Sequence, residues 1–219
     1  MTFNKNYADA SAALMNDFMG GLPDEVKQIV GASMERLLSS DVGSQAPGKG
    51  EQAPEFTLQD IRGGSVSLSQ LLAKGPVVLS FYRGSWCPFC NLEFQFLREA
   101  LSDIKNLGAG LVFISPEQAQ VTVDHLTDMD PAITVLADPA NRVATEYGLV
   151  FSLDEAMRPL YADWGINVPA ANGDDSYTLP IPASYVIATD GSIKAAYVEK
   201  NYTLRMEPEE ILDTLRSMI

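Results

Sequence analysis

The only two cysteines of the 219-residue chain stand three apart, as Cys87-Pro88-Phe89-Cys90, inside the stretch VVLSFYRGSWCPFCNLEFQF that runs from Val77 to Phe96. A C-x-x-C pair serves two chemistries, metal ligation or thiol redox cycling. Metal ligation fails on count, because a structural zinc site takes four ligands and only Cys87 and Cys90 offer the spacing, so no metal is expected. His125, the single histidine, falls on a predicted crossover helix remote from the pair. A Cys–His dyad of the protease kind is therefore not expected, and a surface or packing role is assigned to it.

Redox use requires one sulfur that ionises readily. Val77, Val78, Leu79, Phe81 and Tyr82 read as a buried central strand. Leu92, Phe96, Ala100, Ile104 and Leu107 recur at helical spacing, and Gly108 suits the left-handed position that ends a helix. Arg83 to Trp86 then form a short connection, Cys87 enters the first turn of the helix, and Pro88 fits there because its missing N–H costs nothing. Unpaired N–H groups at a helix start favour an anion, which makes Cys87 the expected nucleophile. Cys90, one turn further in, is the expected resolving thiol. Arg83, four residues before Cys87, can supply permanent positive charge to a thiolate or a peroxide oxygen; the competing reading is a surface ion pair. Arg158 has a weaker claim of the same kind. Glu93 and Arg98 read as solvated helix positions.

SWCPFC after a hydrophobic strand looks like a thioredoxin or glutaredoxin active site. From about Glu51 onward the chain resembles the peroxiredoxin-like branch of the alkyl hydroperoxide reductase and thiol-specific antioxidant family, through APEFTLQD with GGSVSLSQLL, FYRGSWCPFC, VLADPANRVATEYGL and IPASYVIATDGSI. The resemblance implies an α/β thioredoxin-like fold, a central mixed β-sheet flanked by helices, and a cofactor-free thiol peroxidase. In such an enzyme Cys87 becomes a sulfenic acid, Cys90 closes the disulfide, and thioredoxin, glutaredoxin or glutathione restores both thiols. It further implies that Trp86 borders the docking surface and that Pro182 lies against the sulfurs after a cis peptide bond, both as substrate-binding residues. One departure stands out. Counting back from Cys87 puts Gly84 and Ser80 where classical peroxiredoxins carry a hydroxyl residue and a proline. Trp86, the C-P-F-C spacing and Pro182 point to a second reading, a thiol-disulfide oxidoreductase acting on disulfides. A third is a non-catalytic redox sensor or interaction module.

The remaining chain must position this site. Residues 1–50 read as a helical extension and linker, and 51–219 as the thioredoxin-like domain. The extension carries Leu14, Phe18, Val26, Ile29, Val30, Met34, Leu37 and Leu38 at helical spacing. Its apolar face packs on the main domain or forms a homodimer contact. A hairpin is expected at Phe56 to Leu68 around Arg62-Gly63-Gly64, strands at Leu111 to Ser115 and Ile133 to Ala137, and a crossover helix at Glu117 to Met129. Asp138-Pro139 is expected to open a helix through Tyr147. A second hairpin is expected around Asp190-Gly191, and a closing helix at Pro208 to Met218. The long connection from Val150 to Leu179 is assigned to a lid or wall near the cysteines, against a packed surface excursion.

Fifteen basic residues against 29 acidic ones give a net charge of −14, which argues against nucleic acid and anionic membrane surfaces as partners. No apolar run approaches the ~18 residues of a membrane span, and the first residues lack signal-peptide order. A cytoplasmic setting is expected, where a C-x-x-C is reactive rather than structural.

Overall fold

The residues VVLSF form a strand with all five side chains buried, inside a seven-stranded mixed sheet. The computed structural model describes residues 6–125 and 130–219. Two helices, α1 (Tyr7–Gly20) and α2 (Asp24–Ser39), come first, followed by β1 (Thr57–Asp60), β2 (Ser65–Ser67) and α3 (Leu68–Leu72). The cysteine region comprises β3 (Val77–Phe81), α4 (Pro88–Glu99), α5 (Leu101–Asn106) and β4 (Gly110–Ser115). Next are α6 (Ala119–His125), β5 (Ile133–Ala137), α7 (Arg142–Glu146), β6 (Val150–Ser152), α8 (Met157–Asp163), α9 (Val168–Asn172) and β7 (Thr178–Pro180). The chain closes with β8 (Ala183–Ile187), β9 (Ile193–Val198) and α10 (Pro208–Arg216).

The sheet order is β2-β1-β5-β4-β3-β8-β9, with β6 and β7 paired separately. Strands β3, β4 and β5 run parallel, and the remaining pairings are antiparallel. Alternation along β3 sorts its residues onto two faces. Val77, Leu79 and Phe81 pack with Phe56, Leu58 and Tyr147, while Val78 packs with Phe89, Cys90 and Leu97 of α4. Both faces of β3 are thus covered, which is why it reads as a continuous apolar run.

The cysteine helix differs from the single element expected. It divides at Ala100 (φ −81, ψ −7), where a tightened turn separates α4 from α5 and both Ala100 and Leu101 are buried. Asp138 also acts differently from a simple N-cap. Pro139–Asn141 make a 3₁₀ turn, and the Asp138 carboxylate accepts from the N–H groups of Val143 and Ala144 at 2.9 Å each, at the start of α7. Of the expected crossover helix, α6 covers residues up to His125; the His125 side chain and residues 126–129 lie outside the described residues.

The N-terminal helices lie on the body. Tyr7 of α1 meets Phe96 edge to face at 5.7 Å, and its hydroxyl donates to the Phe89 carbonyl at 3.3 Å. Val30 of α2 packs with Leu153, Met157 and Tyr161 in a third apolar cluster. The Lys200 ammonium donates to the carbonyls of Leu38 and Ser40, where α2 ends. Among the described residues no helix is long and apolar enough to cross a membrane.

Candidate active site

Cys87 is the N-cap of α4 and Pro88 its first residue, so the strand–loop–helix placement expected from the sequence holds. Both cysteines are free thiols and buried, with Cys87 at 0% exposure and Cys90 at 2%. The source of positive charge is a correction. No backbone N–H of α4 caps the Cys87 side chain; the donor at 3.1 Å is Nη2 of Arg83.

Arg83 is held by what surrounds it. Nη1 donates to the Tyr161 hydroxyl at 3.1 Å, and the guanidinium lies 4.0 Å from the centre of the Tyr202 ring and 5.4 Å from that of Trp86. At 3% exposure it is a buried cation stacked on aromatic faces, not a surface ion pair. Tyr161 comes from α8, so part of the 150–179 connection does wall the cysteines. Arg158, by contrast, stacks on Tyr177 at 4.4 Å and donates to the Leu153 carbonyl, with neither sulfur as a partner.

A second buried cation lies beside the other sulfur. Nη2 of Arg205 is 3.5 Å from the Cys90 sulfur, and Nε donates to Glu93 at 2.5 Å. Glu93 is 3% exposed, which overturns its assignment as a solvated helix position. It lies three residues after Cys90, on the buried face of α4. Its other oxygen accepts from Ser80 at 2.8 Å and Ser184 at 3.2 Å. Arg98 is exposed, as expected. Arg205 itself had no sequence signal: it stands in an irregular stretch before α10, where no periodicity marks a face.

Burial pushes the Cys87 thiol up, but the hydrogen bond from Cys90 and the charges of Arg83 and Arg205 outweigh it and hold Cys87 well below an ordinary thiol. Cys90 moves the opposite way. Burial, the hydrogen bond to Cys87 and the charge on Cys87 push it well above. The pair therefore shares one proton, kept on Cys90. Burial also raises the Tyr161 hydroxyl and pushes that of Tyr202 up to about 12, so both stay protonated.

The loop ahead of Cys87 is anchored from beneath. Glu117, 1% exposed, accepts from the backbone N–H of Ser85 at 3.1 Å and its hydroxyl at 2.9 Å. Gly84 adopts φ +148, and a Cβ there would stand 2.3 Å from Nε1 of Trp86. The half-buried indole thus occupies the space that a hydroxyl residue at position 84 would need. Ser80, at the other departure, is committed to Glu93. Pro182 is buried next to β8, but its peptide bond is trans, as are all others among the described residues. The cis expectation is corrected.

A β-sheet of this order, with one cysteine capping a helix and the second in its first turn, defines a thioredoxin-like fold. Residues 49–196 match the AhpC/TSA family model, and the chain belongs to that family. It is 29% identical over 144 residues to the thiol-disulfide oxidoreductase ResA of Halalkalibacterium halodurans, covering 66% of this chain and 65% of that protein. It is 34% identical over 101 residues to a putative chloroplastic peroxiredoxin Q of Oryza sativa subsp. indica, covering 46% of each. The chain thus spans between about half and two thirds of the length of these curated relatives. The crystal structure of the peroxidoxin BcpB from Mycobacterium tuberculosis superposes with a TM-score of 0.61 at 22% identity, over 78% of this chain and 98% of that one. This is a likeness of fold.

Proposed function

We propose that the protein is a thiol-dependent peroxidase of peroxiredoxin type. The observation that carries this reading is the Arg83 guanidinium on the Cys87 sulfur, with Cys90 in hydrogen-bonding reach. The Cys87 thiolate attacks one oxygen of a hydroperoxide; an S–O bond forms as the O–O bond breaks, and the departing oxygen takes a proton to leave as water or an alcohol. Arg83 stabilises both the thiolate and the charge that builds on the peroxide oxygens, and the protonated Tyr161 hydroxyl is a neighbouring donor. Cys90 then condenses with the Cys87 sulfenic acid, releasing water and closing the disulfide, and a dithiol such as thioredoxin, or glutathione, reduces it. Arg205 assists by favouring the Cys90 thiolate once Cys87 no longer carries the charge. Family membership and the peroxiredoxin Q relatives support the reading. A cytoplasmic, reducing setting and a cofactor-free mechanism belong to it.

The second reading, exchange with another molecule's disulfide, is favoured by the ResA likeness and by Trp86 directly before the pair. Complete burial of Cys87 counts against it, because a protein disulfide needs more room at the sulfur than a peroxide does. Steady-state peroxide consumption with a thiol donor, run beside insulin reduction, separates the two. Peroxide turnover that depends on Cys87 and exceeds insulin reduction is expected. A wild-type peroxide rate no greater than that of Cys87→Ser removes the proposal.

A further inference from the structure

Cys87 and Cys90 are buried, although a disulfide between them has to meet another molecule's thiol in every cycle. Thiol–disulfide exchange needs the attacking sulfur to reach one sulfur of the pair, and access limits its rate. Two elements close over the pair, and both lie outside the family-matched residues 49–196. The first is the irregular strap of residues 199–207 between β9 and α10. Its Tyr202 ring lies 4.0 Å from the Arg83 guanidinium and meets Phe89 at 5.8 Å. Its Arg205 faces the Cys90 sulfur and donates from Nη1 to the strap's own carbonyls at Tyr202 and Leu204, at 2.7 Å each. The second element is α1, which clasps both the strap and the cysteine turn. The Ser11 hydroxyl donates to the Thr203 carbonyl at 2.5 Å, and Glu207 accepts from the N–H groups of Tyr7 and Ala8. The Tyr7 hydroxyl donates to the Phe89 carbonyl, inside the C-P-F-C turn, and Leu14 and Met15 pack on the apolar cluster that contains both cysteines.

The clasp is lightly seated. Of the 14 residues of α1 only Tyr7 and Ser11 are buried, and a cavity of about 190 Å³ lies between Phe18 near its end and Trp86 and Phe89 below. A helix with so few buried side chains opens at lower cost than the sheet beneath it. Gly21 to Pro23 join α1 to α2, which is held separately by Val30 in its own cluster and by Lys200 at its last carbonyls. We propose that α1 is a lid on the reductive half of the cycle: peroxide reaches Cys87 with the lid closed, and a protein dithiol reaches the disulfide only when α1 lifts and frees the strap. The inference rests on the redox reading of the pair and adds the control of its recycling. With the lid open, a thiolate of the dithiol protein attacks the Cys87 sulfur, the Cys87–Cys90 bond breaks, and Cys90 leaves with the electron pair and takes a proton. The partner's second thiolate then attacks its own sulfur in the mixed disulfide, Cys87 leaves as a thiolate, and the partner ends as a disulfide. Hydrogen peroxide is little larger than water and needs no such opening. The exchange rate therefore scales with the open fraction of α1.

The test uses the full-length protein, oxidised to the Cys87–Cys90 disulfide with diamide, which takes two electrons and two protons from the pair and needs no peroxidase activity. Reduction by thioredoxin is followed as a second-order rate through tryptophan fluorescence in wild type, in Glu207→Ala and in the double variant Ala12→Gly with Ala13→Gly. Ala12 and Ala13 are exposed, so the double variant weakens the helix through its backbone alone. Oxidation of the reduced proteins by hydrogen peroxide is measured alongside. The proposal expects reduction to quicken about fivefold in Glu207→Ala and about tenfold or more in the double variant, in step with hydrogen exchange in residues 7–20. It expects peroxide oxidation to stay within about twofold of wild type, the range of a surface substitution. Reduction no faster than wild type in both variants overturns it. So does peroxide oxidation that rises by the same factor, because α1 then covers both half-reactions alike. Lid-dependent reduction of a protein that peroxide fails to oxidise keeps the lid and removes the peroxidase reading. Peroxide oxidation with reduction indifferent to α1 does the reverse.

Discussion

Arg83 holds three partners at once: the Cys87 sulfur, the Tyr161 hydroxyl and the face of Tyr202. Removing it leaves a buried sulfur with less charge to offset its desolvation, so the Cys87 thiol rises toward or beyond an ordinary value. Arg83→Met is expected to slow peroxide consumption at neutral pH by about 100-fold, because Cys87 loses the cation that favours its thiolate and the peroxide oxygens lose a donor, measured by rapid mixing. The sign of the pH dependence follows from the same depressed value. Between the folded value and the ~8.5 of an unfolded cysteine, the unfolded chain holds a proton at Cys87 that the folded chain lacks, so the Cys87 contribution to stability rises with pH and is complete above about 8.5, where Cys90, kept protonated in the fold, begins to act in the opposite direction. Urea unfolding of reduced wild type against Cys87→Ser checks this: the wild type should lose its relative advantage as pH falls through the folded value. Gly84 makes a second point at this scale. Gly84→Thr restores the family's hydroxyl position, yet it forces a β-branched residue to φ +148 against the Trp86 indole. A destabilisation of about 1–3 kcal/mol with no gain in peroxide rate is expected, read by thermal unfolding and steady-state assay.

Between elements, the buried Glu93–Arg205 pair ties α4 to the stretch that leads into α10. Removing one member leaves the other charged and unpaired in the interior. Arg205→Met should therefore cost about 3–5 kcal/mol of stability, while Glu93→Leu with Arg205→Met recovers much of that loss, both measured by urea unfolding. The pair was hidden in the sequence because Glu93 follows ordinary helical spacing and its partner is 112 residues away. Strands β3, β4 and β5 and the hairpin of β8 with β9 were legible, since each is an apolar run or is closed by turn residues such as Asp190-Gly191. The segment 150–180 was not. Its helices α8 and α9 have seven and five residues, too few turns for a period to show.

For the molecule as a whole, the first helix is fastened to the last. The Glu207 carboxylate, at the N-cap of α10, accepts from the backbone N–H groups of Tyr7 and Ala8 at 2.9 Å each, and so neutralises the positive end of α1. Glu207→Ala is expected to weaken α1 docking by about 1 kcal/mol, seen as faster hydrogen exchange in residues 7–20 with α4 little changed. Apolar spacing in residues 1–40 showed that these helices had a face to bury, but not against what. The sequence alone determined the close spacing of the two cysteines, their place at a strand–helix junction and the family, because a spacing and an apolar period are local properties that survive in one dimension. Tertiary structure decided which charge faces each sulfur, that Glu93 is interior, and that α1 and the 150–180 segment meet beside the cysteine loop. Those are meetings of residues up to 200 positions apart, and packing alone brings them together.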